Sequence, residues 1–190
     1  MGILHQLKQF AFVKLRILKY QWLTECENIS GKPIKNQPLL LSGKGKIVFG
    51  LNCKFGYKDS AGFYSTYNYI EARNSSSVVV FGDNNYFNNN CTIDAIDKIE
   101  FGNDVLVGIN CSFLDNDGHN LAVEKRKIDT PNSAPIRIGN NVFIGDNVTV
   151  LKGVSIGDNS VIGSGSIVTK SIPSNSIAAG NPAKVIRELN

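Results

Sequence analysis

The sequence lacks the features that mark a membrane-spanning protein, a disulfide scaffold or a metal cluster. Its longest uninterrupted apolar run near the N-terminus covers only residues 10–13. That is far short of the roughly 18 to 20 apolar residues that cross a bilayer, and this end does not resemble a secretory signal. The four cysteines form no CxxC pair, so we predict neither a disulfide framework nor a zinc cluster. We therefore expect a cytoplasmic protein that binds no metal.

Basic charge is concentrated at one end of the chain. The formal net charge is +4, and residues 1–24 carry Lys8, Lys14, Arg16 and Lys19 with no acidic residue. The remainder is neutral, with 16 basic residues (20 less 4) and 16 acidic residues. Because nucleic-acid-binding proteins spread basic residues over a binding face, we expect no nucleic-acid partner.

The basic segment is also predicted to be a helix over residues 3–23, because its apolar residues recur at spacings of three and four. The apolar positions are Leu4, Leu7, Ala11, Leu15, Leu18 and Trp22. Two roles fit this pattern. The helix could lie on an anionic membrane surface, or it could cap the neighbouring fold and pack within its own assembly, which is the role we favour.

The strongest pattern in the sequence is a period of six residues. An aliphatic residue occupies every sixth position at Ile138, Ile144, Val150, Ile156, Ile162 and Val168. The fifth position of each hexad is small or β-branched, at Val142, Val148, Val154, Ser160, Ser166 and Ile172. A period of six is neither helical nor that of a simple strand. It is typical of a parallel β-helix with three short strands in each coil, so we predict an all-β fold.

The same period divides the chain into segments. Weaker hexads precede the regular ones, at Phe49, Phe55, Phe81, Phe87, Ile93, Phe101, Val107 and Phe113. We predict a helix and linker over residues 1–45, a β-helix of about six coils over 46–173 with a loop at about 114–135, and a capping segment over 174–190. The cap is expected to contain a short C-terminal helix introduced by Pro182. Cys53, Cys91 and Cys111 fall on small inward positions and are expected to pack as reduced core residues.

The regular hexads resemble those of hexapeptide-repeat acetyltransferases, and among these the galactoside, maltose and capsule-polysaccharide O-acetyltransferases. The resemblance covers roughly residues 80–188 and depends mostly on residues 136–150, 162–173 and 179–187. It implies a left-handed β-helix, acetyl-CoA as the acyl donor and a homotrimer with active sites between subunits.

The resemblance also implies a catalytic residue. In the sequence around Asp115, Asp117 and His119, the histidine matches the position of the family's catalytic histidine, and histidine can accept a proton near neutral pH. We predict that His119 is the general base. Either aspartate could orient its imidazole, bind an acceptor hydroxyl or form the turn. Asn88 and Asn90 are predicted to lie near the acetyl group and the acceptor.

The predicted donor contacts are Asp146, Ser164, Thr169, Lys170, Lys184 and Arg187. If the C-terminal segment is a helix, Lys184 and Arg187 share one of its faces and could pair with the phosphates of CoA. Phe143 occupies a position where many relatives have tryptophan, which puts the implied stacking contact with the acceptor in doubt.

The predicted function is acetyl-CoA-dependent O-acetylation of a sugar or glycan, in surface polysaccharide or lipopolysaccharide biosynthesis. The alternative is N-acetylation of an amino-sugar nucleotide, which would use the same base and donor site. A zinc β-helix hydratase is excluded, because it needs three histidine ligands and the chain has only His5 and His119.

An inactive binding prism is disfavoured because His119 accompanies a nearly complete donor motif. The N-terminal helix could place the enzyme at the inner membrane surface.

Overall fold

The computed structural model describes residues 7–128 and 130–189. Three parallel sheets form the sides of a triangular prism, and the chain visits the sheets in turn. The prediction of a left-handed parallel β-helix is confirmed.

Each coil contributes one strand to each sheet. Sheet 1 contains β1 (Asn28–Ser30), β4 (Lys46–Phe49), β7 (Val78–Phe81), β10 (Lys98–Phe101), β13 (Ile136–Ile138) and β16 (Ser155–Ile156). Sheet 2 contains β2 (Ile34–Lys35), β5 (Lys54–Phe55), β8 (Tyr86–Phe87), β11 (Leu106–Val107), β14 (Phe143–Ile144), β17 (Val161–Ile162), β19 (Ser176–Gly180) and β20 (Ala183–Glu188). Sheet 3 contains β3 (Leu39–Ser42), β6 (Asn68–Ala72), β9 (Thr92–Ala95), β12 (Ser112–Leu114), β15 (Thr149–Leu151) and β18 (Ile167–Val168). We name each corner after the sheets it joins, in chain order: corner 1–2, corner 2–3 and corner 3–1.

The prism begins earlier than predicted. Strand β1 pairs in parallel with β4, and β3 pairs with β6, so residues 28–42 form the first coil. The prediction that this stretch is a linker was wrong, because its prolines and glycines occupy corners between strands. The prism also continues beyond residue 173, since β19 pairs in parallel with β17.

The core changes in character along the prism. In the early coils, phenylalanine rings stack between successive coils, with ring centroids 5.0 Å apart for Phe49 and Phe81 and 5.1 Å apart for Phe55 and Phe87. The later coils are filled by the aliphatic hexad residues, all of which are buried. Cys53, Cys91 and Cys111 are buried and unpaired, as predicted.

Asparagine stabilises the corners. A left-handed backbone conformation recurs at Asn52, Asn84, Asn90, Asp104, Asn110, Asn141, Asn147, Asn159 and Asn175. Asparagine adopts this conformation more easily than most residues, because its side chain can form local hydrogen bonds. Side-chain amides also link successive corners, as where Asn110 Nδ2 donates to Asn147 Oδ1 at 3.1 Å.

The predicted N-terminal helix is present where the chain is described; its first residues, 3–6, lie outside the described residues. A π-helical turn at Phe10–Lys14 leads into helix α1 (Leu15–Trp22). Val13 in the π-helical turn is buried, and in α1 the Arg16 guanidinium donates to the carbonyl of Thr66 at 2.6 Å, so this segment packs on the prism. None of the helices within the described residues has the length and apolar content that a bilayer crossing requires.

The predicted C-terminal helix is absent, and this prediction was wrong. Residues 183–188 instead form β20, which pairs antiparallel with β19. The edge of β19 presents N–H and C=O groups that need partners, and the turn around Pro182 brings the chain back to provide them. A proline can begin a helix or a turn, and here the unpaired sheet edge decides between them.

Candidate active site

The predicted site residues separate onto two corners of the prism. Asn88, Asn90, Asp146 and Ser164 lie on corner 2–3, where chain segments pass from sheet 2 to sheet 3. Asp117, His119, Thr169 and Lys170 lie on corner 3–1, after strands β12 and β18. Sheet 3 lies between the two groups.

His119 lies in the loop over residues 115–135, the excursion that the sequence predicted. Its side chain is exposed and has no hydrogen-bond partner in the part of the chain that the structure describes. Asn116 fixes the start of the loop, because its Oδ1 accepts a hydrogen bond from the N–H of Gly118 at 2.9 Å. The imidazole is therefore free to contact another molecule.

Asp115 is a structural residue of the prism. It is fully buried, and its two carboxylate oxygens accept the backbone N–H groups of Ile96 and Asp97, both at 2.8 Å. These bonds join two successive coils. Neither Asp115 nor Asp117 contacts His119 within one chain, so an orienting role for either residue stays a prediction.

Asp117 pairs with a residue that the sequence analysis missed. Its Oδ2 accepts from Lys152 Nζ at 2.8 Å, and both side chains are partly buried. Lys152 follows β15 at the same corner, one coil further along the prism. Thirty-five positions separate the two residues, and only the stacking of coils brings them together.

A second polar cluster on sheet 3 was also missed. The Arg73 guanidinium contacts Asp94 at 2.7 Å and Glu71 at 3.2 Å. Burial raises the pKa of Asp94, and the charge of Arg73 opposes that rise. Asn116 Nδ2 lies 3.4 Å from Asp94 Oδ1, so the cluster supports the start of the His119 loop.

The three consecutive asparagines on corner 2–3 have different roles. Asn88 accepts the N–H of Asn89 through Oδ1 at 2.8 Å, while its Nδ2 has no partner among the described residues. Asn90 has the left-handed backbone, and its Nδ2 donates to Asn110 Oδ1 at 2.9 Å, which supports a structural role. Asn89 is buried and does not have the left-handed backbone of its neighbour Asn90, and its amide holds the loop at residues 57–61.

Below Asn88, corner 2–3 presents a column of residues without large side chains. Strand register places Gly108, Gly145, Gly163 and Ala179 in line beneath Asn88. Four coil steps of about 4.8 Å give this column a length of about 19 Å. Asp146 and Ser164 flank it and are tied into the corner, since Asp146 Oδ1 accepts the N–H of Ile109 at 2.9 Å and Ser164 Oγ accepts the N–H of Asp146 at 3.0 Å.

Two basic side chains lie at the lower end of this column. Lys184 is paired with Ala179 and Arg187 with Ile177 across the β19–β20 hairpin, with a register shift between the pairs. Ala179 and Ile177 are two residues apart on β19, so their side chains lie on the same face of the sheet. Because cross-strand partners share a face, Lys184 and Arg187 also project to that side. The helix that was predicted to place Lys184 and Arg187 on one face is absent, but the register shift in the hairpin places them on one face as well.

Comparison with known proteins agrees with the repeat and the fold. The bacterial transferase hexapeptide (six repeats) family matches residues 135–170. The galactoside O-acetyltransferase of Escherichia coli strain K12 is 50% identical over 114 residues, covering 60% of this chain and 56% of that protein. The chain thus spans little more than half the length of the curated relatives it matches.

Solved structures give the same result. A galactoside acetyltransferase in complex with coenzyme A is 36% identical, with coverage of 85% of this chain and 65% of that one and a TM-score of 0.57. A maltose O-acetyltransferase from Clostridium difficile 630 is 25% identical, with coverage of 90% and 73% and a TM-score of 0.54. The predicted resemblance to hexapeptide-repeat acetyltransferases is confirmed.

Proposed function

Because the chain has the repeat and the left-handed prism of the hexapeptide-repeat acetyltransferases, we propose that it transfers an acetyl group from acetyl-CoA to a sugar hydroxyl. We assign this reaction to surface polysaccharide or lipopolysaccharide biosynthesis, on the cytoplasmic side of the inner membrane. The observation that carries the proposal is His119, an exposed imidazole without a partner in the described chain, on a loop whose base is fixed by Asn116.

In the proposed reaction, His119 removes the proton of the acceptor hydroxyl while the hydroxyl oxygen attacks the thioester carbonyl carbon. The new C–O bond gives a tetrahedral oxyanion, which a backbone N–H would stabilise. The C–S bond then breaks, and the leaving thiolate takes the proton from His119. No group on the protein is acetylated, and no metal takes part.

The column on corner 2–3 supports the position of the donor. Lys184 and Arg187 would bind the phosphates of CoA as charge-assisted partners, and the extended arm would run up the side-chain-poor column towards Asn88. The free Nδ2 of Asn88 can then donate to the acetyl group or the acceptor. Asp146 and Ser164 border this path.

The separation of the two corners supports a homotrimer. Strand β9 in sheet 3 has four residues, so Asn88 and His119 lie on edges about 13 Å apart, whereas a general base must reach its proton over a hydrogen bond. We therefore expect corner 3–1 of one subunit to meet corner 2–3 of another. A ring of three such head-to-tail contacts closes on itself. Thr169 and Lys170 would then contact a donor bound to the neighbouring subunit.

The test is an assay of CoA release by the purified protein with acetyl-CoA. Neutral glycans and amino-sugar nucleotides serve as two sets of acceptors, with product analysis by mass spectrometry. O-acetylated glycan is the expected product. N-acetylated amino sugar would replace the proposal by its alternative, and the absence of transfer to every acceptor, together with the absence of CoA binding, would refute both.

We also propose that the N-terminal helix contacts an anionic membrane. Of the apolar side chains that the sequence aligned on one face, those within the described residues are exposed, at Leu7, Ala11, Leu15, Leu18 and Trp22. Trp22 is 85% exposed, since the helix packs on the prism through its opposite face. Lys8, Lys14 and Lys19 are also exposed and could pair with lipid headgroups.

Flotation with anionic vesicles, but not with neutral ones, is expected for the full chain. A Leu18→Ser, Trp22→Ser variant should lose it, and equal flotation of both proteins would exclude this contact.

A further inference from the structure

A cavity of about 830 Å³ lies on the outer face of sheet 2, near the N-terminal end of the prism. Its floor is formed by the outward side chains of three paired strands, Lys54 on β5, Tyr86 on β8 and Leu106 on β11. The loop over residues 57–66 and the N-terminal helix form its walls. None of the residues assigned so far to the proposed reaction lines this cavity, although its volume is that of a ligand site.

Buried amides hold the cavity in shape. Asn89 donates to the carbonyls of Tyr57 and Ala61 at 3.0 and 2.9 Å and accepts the N–H of Tyr57 at 3.0 Å. Gln37, which is fully buried, donates to the carbonyls of Gly62 and Thr66 at 3.0 and 3.1 Å. Both ends of the loop are thus fixed before any ligand arrives, which lowers the entropic cost of binding.

The lining combines positive charge with aromatic surface. Lys54 and Lys58 are its charged residues, and no carboxylate occurs among the lining residues that the structure describes. Neither lysine has an ion-pair partner within the described chain. The rings of Tyr57 and Tyr86 meet edge to face, with centroids 6.2 Å apart, and the Tyr86 hydroxyl donates to the carbonyl of Gly56 at 3.2 Å. Fixed rings of this kind can pack against the apolar face of a sugar.

The cavity also adjoins the proposed reaction centre. Asn88 directly follows β8, whose Tyr86 lies on the cavity floor, and the next residue, Asn89, anchors the cavity loop. The column that would hold the donor begins at the same asparagine and runs in the other direction along the prism. Asn88 does not itself line the cavity, so a ligand must extend past Tyr86 towards corner 2–3 to meet a donor on the column at Asn88.

We infer that this cavity binds the acceptor as a glycosyl phosphate or diphosphate, with the phosphate held by Lys54 and Lys58 and the sugar directed towards Asn88. The inference rests on the proposed acetyl transfer and specifies its acceptor. Lysine binds phosphate as a point charge, and two unpaired lysines beside aromatic rings fit a sugar that carries a phosphate better than a neutral glycan.

Calorimetric titration of the full-length protein tests this inference. The probes are glucose 1-phosphate, galactose 1-phosphate and N-acetylglucosamine 1-phosphate, each compared with its phosphate-free sugar. At least one phosphate is expected to bind about tenfold more tightly than its parent sugar, as for one charge-assisted contact. Lys54→Ala combined with Lys58→Ala should remove this preference, whereas Lys46→Ala, an exposed lysine on sheet 1, should keep it. The inference is wrong if no phosphate exceeds its parent sugar, or if the double variant retains the preference.

Two further ligands identify the source of the phosphate. The sugar whose phosphate binds most tightly is then tested as its nucleoside diphosphate and, in detergent, as its short polyprenyl diphosphate. The form that binds with higher affinity is taken as the natural one. If neither exceeds the monophosphate, the free sugar phosphate is the ligand. CoA release is measured in parallel: lysine-dependent binding without acetyl transfer would refute the proposed function alone, and transfer to phosphate-free sugars without any phosphate preference would refute the cavity assignment alone.

Discussion

Corners 2–3 and 3–1 are built from the same hexads, yet they differ in what they present. In the later coils corner 2–3 stays regular, so that Gly108, Gly145 and Gly163 align into a column without side chains. Corner 3–1 is interrupted by the loop over residues 115–135, and ion pairs fix its surroundings. In the proposed reaction, the regular corner would hold the donor and the interrupted one would supply the general base. If the proposal holds, a repeat protein obtains a binding surface by keeping its period and a reactive group by breaking it.

The largest expected effect concerns the interrupted corner. His119→Ala should lower kcat by about 10² to 10⁴, because the variant has no base for the acceptor proton. CoA release gives the rate, and calorimetry should show nearly unchanged acetyl-CoA affinity, since the donor path lies on corner 2–3. A variant with full activity would remove His119 from the mechanism.

Mixing two inactive variants tests whether the corners of different subunits cooperate. Asn88→Ala and His119→Ala should each be nearly inactive alone. After joint refolding at equal amounts, about a quarter of the wild-type activity is expected, because one in four interfaces combines an intact Asn88 with an intact His119. Recovery would not occur if both residues of a site came from one chain, and light scattering of each variant shows whether the trimer forms.

A smaller effect is expected at the lower end of the column. Lys184→Ala combined with Arg187→Ala should weaken CoA binding about 10- to 100-fold, as for the loss of two charge-assisted contacts. The melting temperature should hardly change, because both side chains are exposed. Lys46→Ala on sheet 1 serves as the matched control, and unchanged CoA affinity in the double variant would contradict the assignment.

Replacing the two aspartates of corner 3–1 is expected to change the free energy of unfolding by different amounts. Asp115→Ala leaves the buried N–H of Ile96 and the partly buried N–H of Asp97 without their acceptor, so the free energy of unfolding should fall by about 2–4 kcal/mol. Asp117→Ala breaks only a partly exposed ion pair with Lys152 and should cost about 1 kcal/mol or less. Urea denaturation measures both, and equal losses would refute the structural role of Asp115.

Several elements followed directly from the sequence. The regular hexads predicted the inward residues of the later coils, and the break in period after Phe113 predicted the loop that contains His119. The first coil was missed because its prolines and glycines read as a linker, while its strands form only by pairing with the second coil. The prediction of a C-terminal helix was wrong for a similar reason, since residues 183–188 form a strand only by pairing with the free edge of β19.

The candidate site also contains residues that the sequence could predict and contacts that it could not. His119 and the basic residues near the C-terminus could be named from motif and chemistry. The pairing of Asp117 with Lys152, and the anchoring of the loop at residues 57–61 by Asn89, could not. Both contacts join residues about thirty positions apart, and no local pattern in the chain marks them.

A strict period of six specifies a triangular coil, because each repeat turns the chain by one side and buries one aliphatic residue. The residues alone therefore established the class of fold, the interior positions and the place where the period fails. Which side chains then become neighbours depends on how coils stack, and small corner insertions shift that stacking by whole residues. For this reason the two-lysine cavity and the separation of Asn88 from His119 became visible only once the coils were placed on one another.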